Sequence, residues 1–245
     1  MHPALSQTDH RTAPMPSAPW IMVQNWHDLL FAHWAVPPQQ IRPLVPRELE
    51  LDLWQGRAYV AVAPFRMSGV RPRCAPAPPL LHRFPELNVR TYVTYKGIPG
   101  VYFFSLDAHS RLGVWGARTF YHLPYYFASM SVRSAGEKFH YSSSRREGPW
   151  PAEFRGRYWP ISPPQQRAKG ALEHFLTERY CLYTVYGAKV LRAYIHHVPW
   201  PLQDADAEIE INTVAQADGI QLPPEKPLLH FSRDLEVLVW WPEAA

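Results

Sequence analysis

The sequence predicts a mainly β domain, built as a sandwich or a barrel with few helices. Short segments of alternating polar and apolar residues recur along the 245 residues and are separated by glycine and proline. Aromatic residues reach 14% of the composition, and their wide side chains pack well on a pleated sheet. The segments number about ten to twelve, and so many short strands require a closed or doubled sheet to protect their edges.

The first half of the chain is typical of strands joined by tight turns. Residues 20–34 favour a strand, and 49–67 predict a hairpin that turns at a glycine. Residues 72–85 contain five prolines and predict an irregular surface loop. The clearest hairpin covers 86–108, with a glycine-containing turn between its two alternating arms.

Two short helices and several more strands are predicted in the second half. Residues 110–121 favour a helix, and 168–178 place apolar residues at helical spacing. Residues 180–197 predict another hairpin. Further strands are predicted at 125–132, 139–144, 153–159, 208–215 and 228–241.

Composition and charge argue against several classes of protein. The net charge is +4, but the positive residues are spread through the chain, which is more typical of a solvated surface than of a phosphate-binding stripe. We therefore expect no nucleic-acid partner. No apolar run approaches the roughly 18 residues of a membrane helix, so we expect no membrane partner and a cytoplasmic location.

The first residues differ from the rest of the chain. Residues 1–18 have no apolar periodicity and contain three prolines, and no secretory signal is visible in them. We expect a disordered leader at 1–18, followed by a single domain at 19–245.

Polar residues occupy one face of the predicted strand that begins at Glu86. Alternate side chains of a strand share a face, so Glu86, Asn88, Arg90 and Tyr92 lie together. One interpretation is an ordinary antiparallel strand whose polar face meets water, and alternation alone favours it. The other is a ligand-holding barrel in which this face points inward.

Arg118, Tyr125 and Tyr126 form a second candidate group. Arg118 lies on the first predicted helix and, taken alone, is typical of a surface residue. Tyr125 and Tyr126 are neighbours in an extended segment, so their side chains point to opposite sides. Only one of the two tyrosines could therefore reach a common pocket.

Metal-binding and cofactor-binding patterns are not evident. His196 and His197 are adjacent on a predicted strand and point to opposite faces, so they cannot bind one metal ion together. Glu178 and Arg179 favour a local pair at the end of the second helix. The sequence has no glycine-rich phosphate loop and no nucleophile elbow. We expect neither a metal nor a cofactor.

Five blocks carry a resemblance to a known family. They include Glu-Leu-Asn-Val-Arg-Thr-Tyr-Val at 86–93 and Ile-His-His-Val-Pro-Trp-Pro-Leu-Gln at 195–203. The other three lie at 26–34, 97–107 and 175–180. Together they resemble the YqjF-like family, a bacterial family of unknown function, over roughly residues 20–242. The resemblance implies the acetoacetate-decarboxylase-like fold, a curved and largely antiparallel β-barrel that encloses a pocket.

Acetoacetate decarboxylase itself is similar at fewer positions. That enzyme has a pocket glutamate on a strand, a Gly-x-x-Gly turn, a Gly-Arg-Glu helix and then Gly-x-Pro-Lys-Lys. Glu86, the turn at 97–100 and Arg118 match these features in order, and Tyr125 and Tyr126 fall where the two lysines would be. A phenol has no amine to condense with a ketone, so the resemblance implies a pocket without Schiff-base chemistry. Lys189, on a predicted strand, is the only lysine that could substitute.

Two functions fit these residues. In the first, the pocket binds a small organic acid or carbonyl compound, with Arg90 or Arg118 as a forked donor to its oxygen atoms. In the second, a lyase-like or isomerase-like enzyme uses Glu86 as acid or base and Tyr125 as proton donor. We prefer binding, because no activated nucleophile is evident. A scaffold without a ligand is the third reading, and a homo-oligomer is compatible with the sequence. The candidate ligand-binding residues are Glu86, Asn88, Arg90, Tyr92, Arg118, Tyr125 and Tyr126.

Overall fold

The computed structural model describes residues 2–78 and 81–245. Met1 of the predicted leader and Pro79 and Leu80 of the predicted proline loop lie outside the described residues. None of the helices in the described ranges is long and apolar enough to span a membrane.

Thirteen strands of the described chain form one large curved sheet. They are β1 (Met22–Val36), β2 (Glu50–Leu51), β3 (Ala58–Pro72), β4 (Arg83–Tyr95), β5 (Ile98–Ala108), β6 (Tyr125–Ala135), β7 (Lys138–Arg145), β8 (Ala152–Pro160), β9 (Cys181–Tyr186), β10 (Lys189–His196), β11 (Gln203–Asn212), β12 (Leu228–Val239) and β13 (Glu243–Ala244). Their order in the sheet is β13-β10-β9-β5-β6-β7-β8-β11-β12-β1-β3-β4-β2, and β4 also pairs with β5 and β10 with β12. These extra pairings join strands that are far apart in the order, so the sheet curls round on itself. The predicted mainly β, curved fold is confirmed.

Most neighbouring strands are antiparallel, but β5 pairs in parallel with both β6 and β9. The helix α2 (Arg111–Tyr121) connects β5 to β6. After this helical crossover the chain returns beside residues 106–108 at the carboxyl end of β5, so β6 begins there and runs parallel to β5 over a short stretch. The sheet is therefore largely antiparallel, as the resemblance implies, with parallel pairing at β5.

The hairpin predicted at 49–67 also has a different form. A tight turn does lie there, closed by two hydrogen bonds of 3.0 and 2.9 Å between Trp54 and Arg57. The strands that flank it do not pair with each other, because β2 pairs with β4 and β3 lies between β1 and β4.

The remaining helices are short. They are α1 (Pro38–Ile41), α3 (Leu172–Thr177) and α4 (Val214–Ala217), with 3₁₀ turns at Pro3–Ser6 and Arg42–Leu44. The helix predicted at 110–121 corresponds to α2, and the one predicted at 168–178 is reduced to α3. Helix α2 begins where the Ser110 hydroxyl accepts a 3.1 Å hydrogen bond from the Gly113 amide. It ends at His122, which has a φ of 52° in the left-handed region.

Residues 2–18 are packed onto the domain rather than loosely attached. The His196 ring donates a 2.8 Å hydrogen bond to the Ala4 carbonyl, and the Arg11 guanidinium donates one of 2.9 Å to the Ile195 carbonyl. The Thr12 hydroxyl donates to the Glu178 carbonyl at 2.8 Å. Apolar periodicity could not reveal this docking, because polar and backbone groups carry it.

We expect deletion of residues 2–18 to lower the thermal midpoint by about 5–10 °C. The deletion removes several partly buried hydrogen bonds, each contributing about 1 kcal/mol, and 1 kcal/mol shifts the midpoint of a domain this size by about 2–4 °C. Circular dichroism during heating measures it. The exposed Gln7→Ala variant is the control and should melt like the parent chain. An unchanged thermal midpoint after the deletion would show that residues 2–18 are only loosely attached.

Candidate functional site

Strand β4 separates an apolar core from an internal cavity. Leu87 and Val89 point to one side and belong to the largest buried apolar cluster. Glu86, Asn88 and Arg90 point to the other side and line the cavity. Glu86 is 3% exposed and Asn88 is 5% exposed. The polar face of this strand is therefore turned inward, and the interpretation that it meets bulk water was wrong.

The cavity has a volume of about 560 Å³ and mostly apolar walls. Aromatic rings form much of the wall, among them Trp26, Phe65, Phe103 and Trp200. Helix α2 lies along one side. Phe120 and Trp241 line the cavity and are also 45% and 55% exposed, so the cavity reaches the surface beside them. We call this opening the mouth.

Glu86 and Tyr125 form a buried acid–phenol pair in the wall of the cavity. The Tyr125 hydroxyl donates a 3.0 Å hydrogen bond to Glu86 Oε2. Burial raises the pKa of Glu86 to about 8; the bond from Tyr125 opposes this rise and the carboxyl of Asp107 adds to it. Burial, together with Glu86, raises the pKa of Tyr125 well above its usual value. At neutral pH both groups are therefore uncharged proton donors, and Glu86 becomes a proton acceptor when it ionises near pH 8.

Arg90 brings a positive charge to the same cavity. Within residues 2–78 and 81–245 no carboxylate lies within ion-pair distance of its guanidinium, which packs over the Phe31 ring at 5.2 Å. Its Nε and the neighbouring Asn88 Oδ1 are buried and have no hydrogen-bond partner in the same residues. Arg179, another cavity residue, is instead neutralised by an ion pair with Asp52. Arg90 also donates a hydrogen bond to the Tyr92 hydroxyl and so opposes the rise that burial causes in the pKa of Tyr92, but it has no carboxylate partner in the described chain and is available to an anionic ligand.

Three of the seven candidate residues, Tyr92, Arg118 and Tyr126, do not line the cavity. Tyr92 shares the face of Arg90, but the Phe175 ring covers it at 5.6 Å and its hydroxyl is hydrogen-bonded to His33 at 2.7 Å. Arg118 is 46% exposed and pairs with Glu147 at 3.3 Å. Phe175 of α3 covers Tyr92, and Arg118 lies on the outward face of α2. Neither side chain reaches the cavity, so the assignment of Tyr92 and Arg118 to the ligand site was wrong.

Tyr126 lies on the opposite face of the sheet from Tyr125, as the alternation predicts. Its ring is 4.4 Å from the Arg145 guanidinium. Arg145 lies 3.3 Å from Asp107 and 3.8 Å from Asp218, and burial raises the pKa of Asp107 to about 7 although Arg145 opposes it. Tyr126 therefore belongs to a buried ionic cluster, and its assignment to the ligand site was wrong.

His197 is a cavity residue that was not among the candidate site residues predicted from the sequence. Its Nδ1 donates a 2.7 Å hydrogen bond to the Val198 carbonyl, which fixes the tautomer because a carbonyl oxygen only accepts. Burial lowers the pKa of His197 to about 3, so the ring is neutral and Nε2 carries a lone pair. Nε2 has no hydrogen-bond partner in the described chain. No local sequence signal distinguishes it from His196.

The local Glu178–Arg179 pair expected from the sequence is absent from the described ion pairs. Arg179 pairs with Asp52, and Glu178 accepts hydrogen bonds from the Tyr180 hydroxyl and the Trp200 amide. Neighbouring residues at the end of α3 point in different directions, so adjacency in sequence did not produce a contact.

All five lysines of the sequence are exposed, and none is among the described cavity residues. Lys189, the one candidate substitute for a reactive lysine, begins β10 next to the turn at Gly187. No group of three or more histidine, cysteine or acidic side chains in the described ranges is placed to hold a metal ion.

Comparison with known proteins places the chain among relatives. The model of DUF2071, described as an uncharacterized conserved protein, matches residues 23–236. The chain belongs to this family. It is 50% identical over 226 residues to "Uncharacterized protein YqjF" of Bacillus subtilis (strain 168), a match that covers 92% of this chain and 93% of that protein.

Solved structures are similar in fold. Acetoacetate decarboxylase from Legionella pneumophila superposes with a TM-score of 0.66 at 13% identity, covering 94% of this chain and 92% of that one. The enduracididine biosynthesis enzyme MppR in complex with pyruvate gives 0.62 at 12% identity, covering 94% and 91%. The predicted acetoacetate-decarboxylase-like fold is confirmed.

Proposed function

We propose that the protein binds a small organic acid or carbonyl compound in this cavity, with the ligand's carboxylate on Arg90. The observation that carries the proposal is the Arg90 guanidinium, which lines the cavity without a carboxylate partner in the described chain. A guanidinium is a planar forked donor that matches the two oxygen atoms of a carboxylate.

Charge and fold support the same ligand class. Glu86 stays protonated at neutral pH, so it does not repel an anion and its hydroxyl can donate to a carbonyl oxygen. The apolar walls suit the carbon body of the ligand. MppR, which shares the fold, has been captured with pyruvate, a compound that has both a carboxylate and a carbonyl group.

Arg90→Gln is expected to weaken binding of 2-oxohexanoate by about 10-fold to 100-fold. Hydrogen bonds to charged groups contribute about 1.5–3 kcal/mol, and 1.4 kcal/mol is a factor of ten. Quenching of tryptophan fluorescence reports the titration, because Trp26 and Trp200 line the cavity. Hexan-2-one, which lacks the carboxylate, should bind the parent chain and the Arg90→Gln variant with equal affinity.

Arg118→Gln is the matched control, since Arg118 lies outside the cavity, and it should bind 2-oxohexanoate like the parent chain. Equal affinity in the Arg90 and Arg118 variants would contradict the proposal. Borohydride reduction of the same samples should add no ligand mass, because no lysine reaches the cavity.

A second candidate is an enzyme that moves a proton next to a carbonyl group, favoured by the raised pKa of Glu86 and its bond to Tyr125. The carbon–hydrogen bond would break with its proton passing to ionised Glu86, while Tyr125 donates a proton to the carbonyl oxygen. We expect the protein to catalyse exchange of the C3 hydrogens of 2-oxohexanoate for deuterium in D₂O, at a rate that rises as the pH approaches 8. NMR measures this exchange. Glu86→Gln should abolish it and Arg118→Gln should not. Equal exchange with and without protein would exclude this candidate.

A further inference from the structure

We propose that the ligand is a carboxylic acid with an extended apolar body, which lies along β4 from Arg90 to the mouth. This inference rests on the proposed function, because it takes Arg90 as the carboxylate site. It adds the size, shape and direction of the rest of the ligand.

The volume of the cavity requires a ligand much larger than a three-carbon acid. An engineered cavity of about 150 Å³ is sufficient for benzene, and sites of about 300–1,000 Å³ enclose drug-sized molecules. The cavity here has about 560 Å³. A ligand of only a few atoms would leave most of the apolar wall without contacts.

The order of side chains along β4 gives the direction. Phe84, Glu86, Asn88 and Arg90 follow one another on the cavity face. Alternate residues of a strand are about 6.7 Å apart, so Arg90 and Phe84 are separated by roughly 20 Å. Beyond Arg90 the same face continues to Tyr92, which is fully buried. The positive charge therefore lies at the closed end.

The opposite end is apolar and open. Phe84 follows the segment that contributes Pro78 and Leu81 to the cavity wall, and the exposed Phe120 and Trp241 border the mouth. A carboxylate at Arg90 thus directs its carbon chain past Glu86 towards solvent. Either a straight alkyl chain or a linked aromatic group satisfies this geometry.

Affinity for straight-chain carboxylates tests the inference. We expect the affinity to rise about threefold to fourfold for each added methylene from butanoate to decanoate, as full burial of each methylene requires. Arg90→Gln should weaken decanoate binding at least tenfold and leave 1-decanol binding unchanged. Tryptophan fluorescence measures both.

Gly116→Leu tests where the chain lies. Gly116 lines the cavity on α2, and a Cβ added there meets no atom within 4 Å, so the larger side chain fills the mouth end without a clash at the backbone. Leucine is also a better helix former than glycine. This variant should bind butanoate like the parent chain and lose at least tenfold in affinity for decanoate.

The outcomes separate this inference from the proposed function. One outcome is that butanoate and decanoate bind equally well while both still depend on Arg90. That result would contradict the extended apolar body of the ligand and would leave the proposed carboxylate site at Arg90 intact. A steep rise with chain length that is indifferent to Arg90→Gln would overturn the proposed function. Equal weakening of butanoate and decanoate by Gly116→Leu would overturn the direction of the chain.

Discussion

Arg145→Met is expected to lower the free energy of unfolding by about 3 kcal/mol at pH 8.5. Arg145 and Asp107 are 3% and 1% exposed, and removal of one partner from a buried ion pair typically costs about 3–5 kcal/mol. The variant leaves the carboxylates of Asp107 and Asp218 buried without the cation that lies between them. Urea unfolding measures the loss.

The loss should shrink as the pH falls. Asp107 has a pKa of about 7 in the folded protein, so at pH 5.5 it is protonated and no longer needs a cation. We expect the Arg145→Met penalty at pH 5.5 to be less than half of its value at pH 8.5.

Arg146→Met is the matched control for this prediction. Arg146 is the next residue, but its side chain is 74% exposed and pairs with Glu153 on the surface at 3.2 Å. Exposed pairs contribute about 0–1 kcal/mol, so its removal should have little effect at either pH. Similar losses in the free energy of unfolding for Arg145→Met and Arg146→Met would show that the buried cluster does not stabilise the fold.

Glu86→Gln should remove a large part of the pH dependence of stability. The pKa of Glu86 is about 8 in the folded protein and near 4.5 in the unfolded chain. Between these values the unfolded chain ionises while the folded protein keeps its proton, so stability falls as pH rises. The fall is about 1.4 kcal/mol for each pH unit and on the order of 5 kcal/mol in total.

Urea unfolding at intervals from pH 4.5 to 9 tests this prediction. The stability of Glu86→Gln relative to the parent chain should increase steadily with pH up to about 8 and then level off. Tyr125→Phe removes the hydrogen bond that lowers the pKa of Glu86, so the pKa of Glu86 should be higher in this variant. The free energy of unfolding of Tyr125→Phe should therefore keep falling to a higher pH than that of the parent chain. Parallel curves for the parent chain and Glu86→Gln would mean that Glu86 ionises at its ordinary pKa.

Local geometry explains what could be predicted from the sequence. Strand alternation places Glu86, Asn88 and Arg90 on one face, and the structure turns that face to the cavity. The same rule separates Tyr125 from Tyr126. These predictions need only the backbone of one strand, so they did not depend on the rest of the fold.

Contacts between distant segments account for what could not be predicted. Tyr92 has the right alternation for the cavity, but α3 brings Phe175 over it from more than 80 residues away along the chain. The partner of Arg179 is Asp52 rather than the adjacent Glu178. No pattern within either segment encodes such neighbours.

The cavity and the buried cluster of Asp107, Arg145 and Asp218 lie on opposite faces of the sheet and interact electrostatically through it. Leu87 of β4 is paired with Asp107 of β5, so Glu86 and Asp107 sit on neighbouring strands with their carboxyls on opposite faces, and negative charge on Asp107 raises the pKa of Glu86. Asp107 is held in turn by Arg145. Substitutions around Arg145 would therefore change the acid strength of the cavity without altering its shape. Relatives could in this way differ in proton affinity while accepting ligands of the same form.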